Sequence, residues 1–427
     1  MKPSRFNLFF PYSGSMIAYN SIENDFIFLT NELHSLYSEI ATANIAQLEE
    51  VHPEFWKALV DKNFIVPENV DEIEKVKALV HSIDCDPSHY HLIINPTLNC
   101  NFKCWYCYET HVRGSKMSNE IIERVQKHIK QKLDSGEIKC LTISWFGGEP
   151  LLYYKQVVVA ILEFVNDYIA NTDVCFNSNF TSNGFLINDT MVEDFDRLKI
   201  TGFQITLDGH REQHNKIRFT GKNKGSYDVL VSNIKKCLKA KVYVTCRINI
   251  SKDTFQDIEK IIKDFSDLLL EDRKYIQFSF NQVWQEKTNL HSQILNLIEL
   301  FKQNDFSTQY NMYTDTVRNS CYADKKNQAT INYNGDVFKC TARDFNTENR
   351  EGYLKDDGTI EWNEKYYARM SAKFKNSPCL ECSILPICNG SCSQKALESK
   401  DMKYCIRGAD ESKKLEVVRA KLEHVLS

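Results

Sequence analysis

From His89 to about residue 310, short apolar runs of strand length alternate with stretches of helical period. The strand candidates are HLIIN (91–95), CLTISWF (140–146), VCFNSNF (174–180), GFQITL (202–207), KVYVTCRINI (241–250) and YIQFSF (275–280). Between them, residues 119–133 place Ile121, Val125, Ile129 and Leu133 four apart on one helix face. Residues 226–239 carry Leu230, Ile234 and Leu238 on one face behind the N-cap candidate Ser226. Strand and helix alternating in this way predict a parallel α/β sheet, either open and doubly wound or curved into a partial barrel. In both, chemistry collects at the carboxyl ends of the strands.

The flanks read differently. Residues 1 to about 85 offer three short strands, FNLFFPY, SMIAYN and DFIFLT, with turns at Ser13-Gly14 and around Glu23-Asn24. Helical stretches follow at Glu32 to Ile40, Ile45 to Val51 and Pro53 to Lys62, then FIVP and an acidic connector, VDEIEKVKALV. Beyond about residue 310 the periodicity fades, apart from a hairpin signal, TINYNGDVFKC, with Asn334-Gly335 as a two-residue turn. A stretch with so few apolar repeats needs staples to hold its shape. The expected domains are 1–88, 89–310 and 311–427, with no internal repeats.

Among the 427 residues, 42% are hydrophobic and 26% charged, which excludes a largely disordered or collagen-like chain. Lysine and arginine total 53 against 57 acids, a net charge of −4. So balanced a chain has no global basic field, and neither nucleic acid nor an anionic membrane is an expected partner. KIRFTGKNKG (216–225), the most basic stretch, reads as a solvated loop. No run reaches the ~18 apolar residues of a membrane span, and the N-terminus lacks a basic start with an apolar core, so a cytoplasmic address is expected. Cysteine is the outlier, with 15 residues. Without a secretion signal, metal ligation or catalysis is the expected use rather than disulfides. Cys85, Cys140, Cys175, Cys237 and Cys246 are scattered singly and read as inert small hydrophobes.

The first cysteine group, NPTLNCNFKCWYCYE, spaces Cys100, Cys104 and Cys107 directly after the first strand. Three thiolates on one loop can hold three irons of a cubane and leave the fourth open. Zinc is the competing metal, although no fourth cysteine or histidine follows at finger spacing. With Tyr106 before its last cysteine, the triad resembles that of the radical S-adenosylmethionine enzymes. The later strand ends agree in order. FGGEP (146–150) follows the second strand, TSNG (181–184) the third and QITLDG (204–209) the fourth, with Arg218 twelve residues beyond Thr206. The resemblance implies a partial (β/α)6 TIM-like barrel. It implies cofactor contacts from Tyr106, Gly147, Gly148, Glu149, Ser182, Asn183, Thr206 and Arg218, with Glu149 accepting the ammonium of the methionine moiety and Arg218 its carboxylate. In that family one electron from the cluster cleaves S-adenosylmethionine, and the 5′-deoxyadenosyl radical abstracts a hydrogen from the substrate.

The other seven clustered cysteines resemble the SPASM extension, whose members carry two auxiliary 4Fe–4S clusters, making three clusters in all. By position Cys379, Cys382, Cys388 and Cys405 match the outer cluster. Cys321, Cys340 and Cys392 match three ligands of the inner one, for which the sequence shows no fourth. A zinc ribbon is the alternative for this tail. The N-terminal segment resembles the winged-helix-like peptide-binding module of peptide-modifying enzymes, with a cap that only covers the barrel as the alternative.

This arrangement most resembles the maturases of ribosomally made peptides. It implies a precursor peptide whose leader meets the N-terminal domain, and an electron donor such as flavodoxin or ferredoxin. Thioether formation is the expected reaction, since an inner cluster with three ligands could hold a substrate cysteine. Carbon–carbon or other side-chain crosslinking and epimerisation are the alternatives. Sulfatase-type maturation is a further one, disfavoured because Thr341 rather than aspartate follows Cys340. A non-catalytic iron–sulfur electron carrier would not need FGGEP, Thr206 and Arg218. Tyr108, Trp145, Asn249 and Trp284 are candidates to line the cavity, against the plainer reading of core aromatics.

Overall fold

The computed structural model describes residues 1–220, 224–309, 320–390, 392–399 and 403–426. The chain divides into two compact units, one of Pro87–Asn311 and Asn327–Tyr366, the other of Met1–Asp86, Met312–Lys326 and Tyr367–Ser427. The boundary expected near residue 310, and residues 221–223 of the basic stretch, fall outside the described residues.

The first unit is built on one eleven-stranded sheet. Its strands are β1 (His89–Asn95), β2 (Cys140–Trp145), β3 (Cys175–Ser182), β4 (Ile200–Leu207), β5 (Tyr243–Ile250), β6 (Ile276–Gln282), β7 (Ser307–Gln309), β8 (Gln328–Asn332), β9 (Asp336–Phe338), β10 (Gly352–Leu354) and β11 (Ile360–Trp362). They lie in the order β7-β6-β5-β4-β3-β2-β1-β8-β9-β10-β11. All six expected strands are present, parallel and adjacent in chain order. The sheet is barrel-like, and because β7 and β11 are its two edges among the described residues, the barrel is partial.

Three features of this sheet depart from expectation. The strand of TINYNGDVFKC does more than open a hairpin, because β8 pairs in parallel with β1, from Gln328 opposite His91 to Asn332 opposite Asn95. The turn of that hairpin spans residues 333–335, one more than expected, closed by the Gly335 amide donating to the Asn332 carbonyl at 2.9 Å. Cys140 and Cys175, read as inert, form a disulfide. They are register partners at the amino ends of β2 and β3, with Cα atoms 4.6 Å apart, a separation that pairing of adjacent strands imposes. Cys237 and Cys246 are buried apolar fillers, as their surroundings suggested.

Because side chains alternate along a strand, the sheet has two distinct faces. One is apolar: Leu92, Ile94, Ile143, Ile205, Ile248 and Phe278 are buried with Val125, Ile129, Leu230 and Ile234 of the helices in one continuous core. The helix Asn119–Asp134 is capped by the Ser118 hydroxyl, which accepts from the Ile121 amide. Ser226 stands at the expected N-cap of Tyr227–Lys239, but the capping oxygen there is Asn215 Oδ1, which accepts from the Ser226 and Tyr227 amides. The other face is polar, in register from strand to strand. Thr330 and Asn332 of β8 stand beside Ile93 and Asn95 of β1. Ser144 and Asn179 continue the row into β2 and β3, followed by Gln204 and Thr206 of β4, Thr245 and Arg247 of β5, and Gln277 and Ser279 of β6.

In the second unit, Asn7–Tyr12, Ser15–Asn20 and Asp25–Leu29 form an antiparallel three-stranded sheet. The helices Asn31–Ala43, Gln47–Val51 and Pro53–Asp61 follow, and Ala18, Leu29, Tyr37, Leu48, Phe55 and Leu59 make its core. The stretch expected as an acidic connector is a helix, Glu72–Asp84, opened by Asp71, whose carboxylate accepts from the Ile73 and Glu74 amides. Its Val76 and Val80, four apart, are buried beside Phe6 and Leu385. At its end Asp84 accepts from Ser320 and Lys373, each at 2.5 Å, and Lys373 reaches Asp324 at 3.2 Å. Among the described residues no helix is long and apolar enough to cross a membrane.

Candidate active site at the strand ends

The cysteine triad, Tyr106, Gly147, Gly148, Glu149, Asn183 and Arg218 sit beyond the ends of β1 to β4, with Ser182 the last residue of β3 and Thr206 the last but one of β4. The loop after β1 presses against the one after β2. The Gly148 amide donates to the Thr97 carbonyl at 3.1 Å and the Glu149 amide to the Asn99 carbonyl at 2.8 Å. A Cβ on Gly148 would stand 2.3 Å from the Asn99 carbonyl oxygen, and Gly147 takes a φ of +92° with its own Cβ direction facing the Thr97 carbonyl. Glycine is therefore required at both positions by close backbone approach. That contact fixes the path of the chain into Cys100.

Cys100 and Cys104 are half-buried and Cys107 is exposed. The thiols lie near enough for Cys104 to raise the pKa of both neighbours. Burial, with the Glu149 charge adding to it, pushes the Cys100 thiol up to about 12. Burial lifts Cys107 to about 11. It also raises Cys104, against the opposing pull of Arg218. Three neutral thiols on one loop become good thiolate ligands only when a cation offsets that burial. Among the described residues no three His, Cys, Asp or Glu side chains close around a single ion. Three cysteine thiols on one loop are the donor chemistry of an iron–sulfur cubane, whose irons each take one thiolate.

Glu149 is fully buried. Its Oε1 accepts from the Leu151 amide at 3.0 Å and the Ser182 hydroxyl at 2.8 Å, and its Oε2 from the Asn183 amide at 2.7 Å. Burial raises its carboxyl to about 7 despite these hydrogen bonds. The loops after β2 and β3 are thus tied together by one carboxylate. Asn183 continues the tie, its Nδ2 donating to Asn101 Oδ1 at 2.7 Å and lying 3.8 Å from Cys100 Sγ.

The loop after β4 supplies a residue that the sequence reading missed. Asp208 accepts from Arg218 Nε at 2.5 Å and from the Tyr106 hydroxyl at 2.7 and 2.8 Å, and Arg218 Nη2 donates to that hydroxyl at 2.6 Å. This closed triangle holds Tyr106 between two of the cysteines. The Asp208 amide donates to His214 Nδ1, and His214 Nε2 meets the Ser226 hydroxyl, which donates to the Arg218 carbonyl. Burial drives the His214 pKa down to about 3, so it is a neutral spacer. Arg218 is therefore already paired through Nε and Nη2, with Nη1 left without a partner among the described residues. Asp208, inside QITLDG, was in view as motif text, but only the folded contact gives it a role.

Of the cavity candidates, Trp145 lies on the apolar face, its Nε1 donating to Ser178 at 2.9 Å. Tyr108 and Trp284 stack with ring centroids 5.6 Å apart, and both are exposed. Asn249 and Thr206 stand on the polar face. Glu109 was also missed: burial, with Asp344 adding to it, lifts its carboxyl to about 8, and among the described residues its Oε2 has no partner.

In the other unit Cys379, Cys382, Cys388 and Cys405 line one cavity with Leu385, Ile406 and Lys414. Burial pushes the Cys379 thiol up to about 11, reinforced by the other three cysteines around it. Cys321 and Cys392 belong to this unit, and Cys340 to the sheet unit.

Residues 94–265 match the model of the radical SAM superfamily, and this segment of the chain is a radical SAM domain. Members of that superfamily bind S-adenosylmethionine and a 4Fe–4S cluster.

Among curated relatives, a cysteine-type anaerobic sulfatase-maturating enzyme of Clostridium novyi (strain NT) is 29% identical over 197 residues, 44% of this chain and 50% of that protein. The radical SAM cyclopropyl synthase TigE of Paramaledivibacter caminithermalis is 23% identical over 91% of this chain and 85% of its own length. Among solved structures, anSMEcpe with bound AdoMet superposes with a TM-score of 0.59 at 15% identity, over 79% of this chain and 98% of its own. SuiB of Streptococcus suis superposes with a TM-score of 0.55 at 17% identity, over 95% of this chain and 98% of its own. These two likenesses carry the fold.

Proposed function

We propose that this protein is a radical S-adenosylmethionine peptide maturase that forms a thioether between a cysteine sulfur and a carbon of a ribosomally made precursor. The observation that carries the reading is the tie among four strand-end loops. The triad loop, the GGE loop, the Ser182-Asn183 loop and the Asp208–Arg218 pair are linked by direct hydrogen bonds around Cys100 and Tyr106.

In this reading Cys100, Cys104 and Cys107 hold the cluster, and Gly147, Gly148, Glu149, Ser182, Asn183, Thr206, Arg218 and Tyr106 form the cradle for S-adenosylmethionine. When bound, the cluster and cofactor together supply an electron and a carbon radical that abstracts hydrogen. The chain supplies position. Glu149 locks two loops together, and the Tyr106–Asp208–Arg218 triangle fixes the segment between Cys104 and Cys107. The convergence of Cys379, Cys382, Cys388 and Cys405 on one cavity supports an outer auxiliary cluster there. Cys321, Cys340 and Cys392 are proposed for an inner one, its remaining site open to a substrate thiolate.

Residues 1–88 are assigned to leader recognition. In support, SuiB, of the same fold, has been crystallised with its precursor peptide SuiA. Flavodoxin or ferredoxin is the proposed reductant. Sulfatase-type maturation is the second reading, favoured by the Clostridium novyi relative. Against it, Asp344, the nearest acid after Cys340, is held by the Thr110 amide at 2.8 Å and hydroxyl at 2.7 Å.

The test is mass spectrometry of short cysteine-containing peptides encoded beside the gene, after anaerobic turnover. Loss of two hydrogens, with the cysteine no longer alkylated by iodoacetamide, supports the thioether. Loss of two hydrogens with the thiol still free would instead favour a carbon–carbon link or another crosslink.

A further inference from the structure

The polar face of the sheet carries amides and hydroxyls along its length and, on β5, an arginine. Arg247, on β5, is in register with Thr206 of β4 on one side and Ser279 of β6 on the other. Same-face positions on β1 to β6 and β8 include His91, Asn95, Ser144, Asn179, Gln277 and Thr330, and these strands place no carboxylate there. Arg247 Nε donates to Asn249 Oδ1 at 2.9 Å. Among the described residues its other two nitrogens have no partner and it makes no ion pair. Burial depresses its pKa and the neighbouring Arg218 adds to this, with Tyr106, Tyr108 and Asp208 opposing. The nearby Asp208 is bound directly by Arg218, which leaves the Arg247 guanidinium without a carboxylate of its own among the described residues.

Further along the same face, other polar groups also lack partners. Among the described residues, Asn95 is fully buried with both side-chain polar atoms unbonded, and its register partner Asn332 and Gln328, four residues before Asn332 on the same face, each bury an unbonded oxygen. A folded chain that leaves a half-buried guanidinium and three buried amides unsatisfied on one face is shaped for a polar guest. Of the groups a peptide offers, a carboxylate answers the guanidinium best, because it matches the charge and fits the planar fork.

The geometry points to Arg247 as a specificity-determining residue that binds a carboxylate of the peptide substrate, within a polar face that meets the peptide's amides. This rests on the reading of the protein as a peptide-modifying enzyme. The carboxylate is an Asp or Glu side chain or a free C-terminus near the residue that reacts. The carboxylate of S-adenosylmethionine shares this chemistry, and the experiment separates the two sources.

The full chain, reconstituted anaerobically with iron and sulfide and saturated with S-adenosylmethionine, is titrated in a calorimeter. The probes are two N-acetylated, C-amidated pentapeptides, Gly-Gly-Glu-Gly-Gly and its Gln counterpart, which differ only in charge. Wild type is expected to prefer the Glu peptide about tenfold or more, as a charge-assisted pair in a desolvated site implies. Arg247→Gln abolishes the preference and Arg247→Lys keeps part of it. Equal affinities in wild type, or no measurable affinity for either peptide, overturn the proposal without any variant. A preference that survives in Arg247→Gln overturns it as well. If Arg247→Gln loses affinity for S-adenosylmethionine and keeps its choice of peptide, the guanidinium serves the cofactor and the proposal is wrong. Failure of wild type to bind S-adenosylmethionine at all would count instead against the enzymatic reading beneath it.

Discussion

The Tyr106–Asp208–Arg218 triangle can be broken at one atom. In Asp208→Asn the side chain keeps its shape but loses its charge, leaving a buried guanidinium beside a phenol. The Asp208 side chain is 1% exposed and that of Arg218 9%, so solvent cannot take over the lost pairing. Removing one partner of a buried ion pair costs about 3–5 kcal/mol. Asparagine still accepts from Tyr106 through one oxygen, so the lower end, about 3 kcal/mol, is expected. Replacing both partners, as in Asp208→Leu with Arg218→Met, removes the charges together and is expected to cost less than the summed single changes by about 2 kcal/mol. The assay is urea unfolding of the metal-free chain, in which a 3 kcal/mol loss lowers the midpoint by about 1 M. A single variant within about 0.5 kcal/mol of wild type, or strictly additive losses, would refute the argument that this pair is structurally coupled.

Three further outcomes follow from the same geometry. Gly148→Ala drives a methyl into the Asn99 carbonyl and must displace the chain entering Cys100, so iron bound after reconstitution should fall well below wild type; an unchanged iron content would count against the close-approach argument. His128, buried between the Tyr90 hydroxyl and the Gly358 carbonyl, has its pKa pushed down to about 4 by burial. Its folded pKa lies below the unfolded value of 6.5, so its contribution is intact above pH 6.5 and is lost as the pH falls toward 4. About 2 kcal/mol should go between pH 7 and 5, a slope that His128→Phe flattens in denaturation curves at the two pH values. Lys373→Met leaves Asp84 and Asp324 buried together without a cation and should cost about 3–5 kcal/mol in thermal unfolding, against little change if the pair were solvated.

The barrel strands were legible because each is a local run of apolar residues set between helices of clear period. The three-cysteine loop, GGEP, TSNG and QITLDG were legible because their spacing is local too. What escaped depends on partners distant in sequence. The pairing of β8 with β1 joins residues more than two hundred apart, and nothing local marks Gln328–Asn332 as a barrel strand. Asp208 was visible as a letter, but its hold on Arg218 and Tyr106 exists only once the loops meet. Cys140 and Cys175 read as fillers because strand register, not spacing, brings them opposite one another. The helix Glu72–Asp84 was read as a connector because its acidic residues outweighed the Val76–Val80 period, although Asp71 was there as a cap. Arg247 had a signal that went unused: a cation alternating with apolar residues inside a buried parallel strand, where continuous apolar sequence is the rule.

The central claim, that the strand-end site runs radical S-adenosylmethionine chemistry, is tested most directly by one measurement. The anaerobically reconstituted chain is mixed with dithionite and S-adenosylmethionine, and 5′-deoxyadenosine is quantified beside the Cys104→Ala variant. The account predicts 5′-deoxyadenosine from wild type and none from the variant. No product from an iron-loaded wild type, with candidate peptide present, or equal product from the variant, would contradict it.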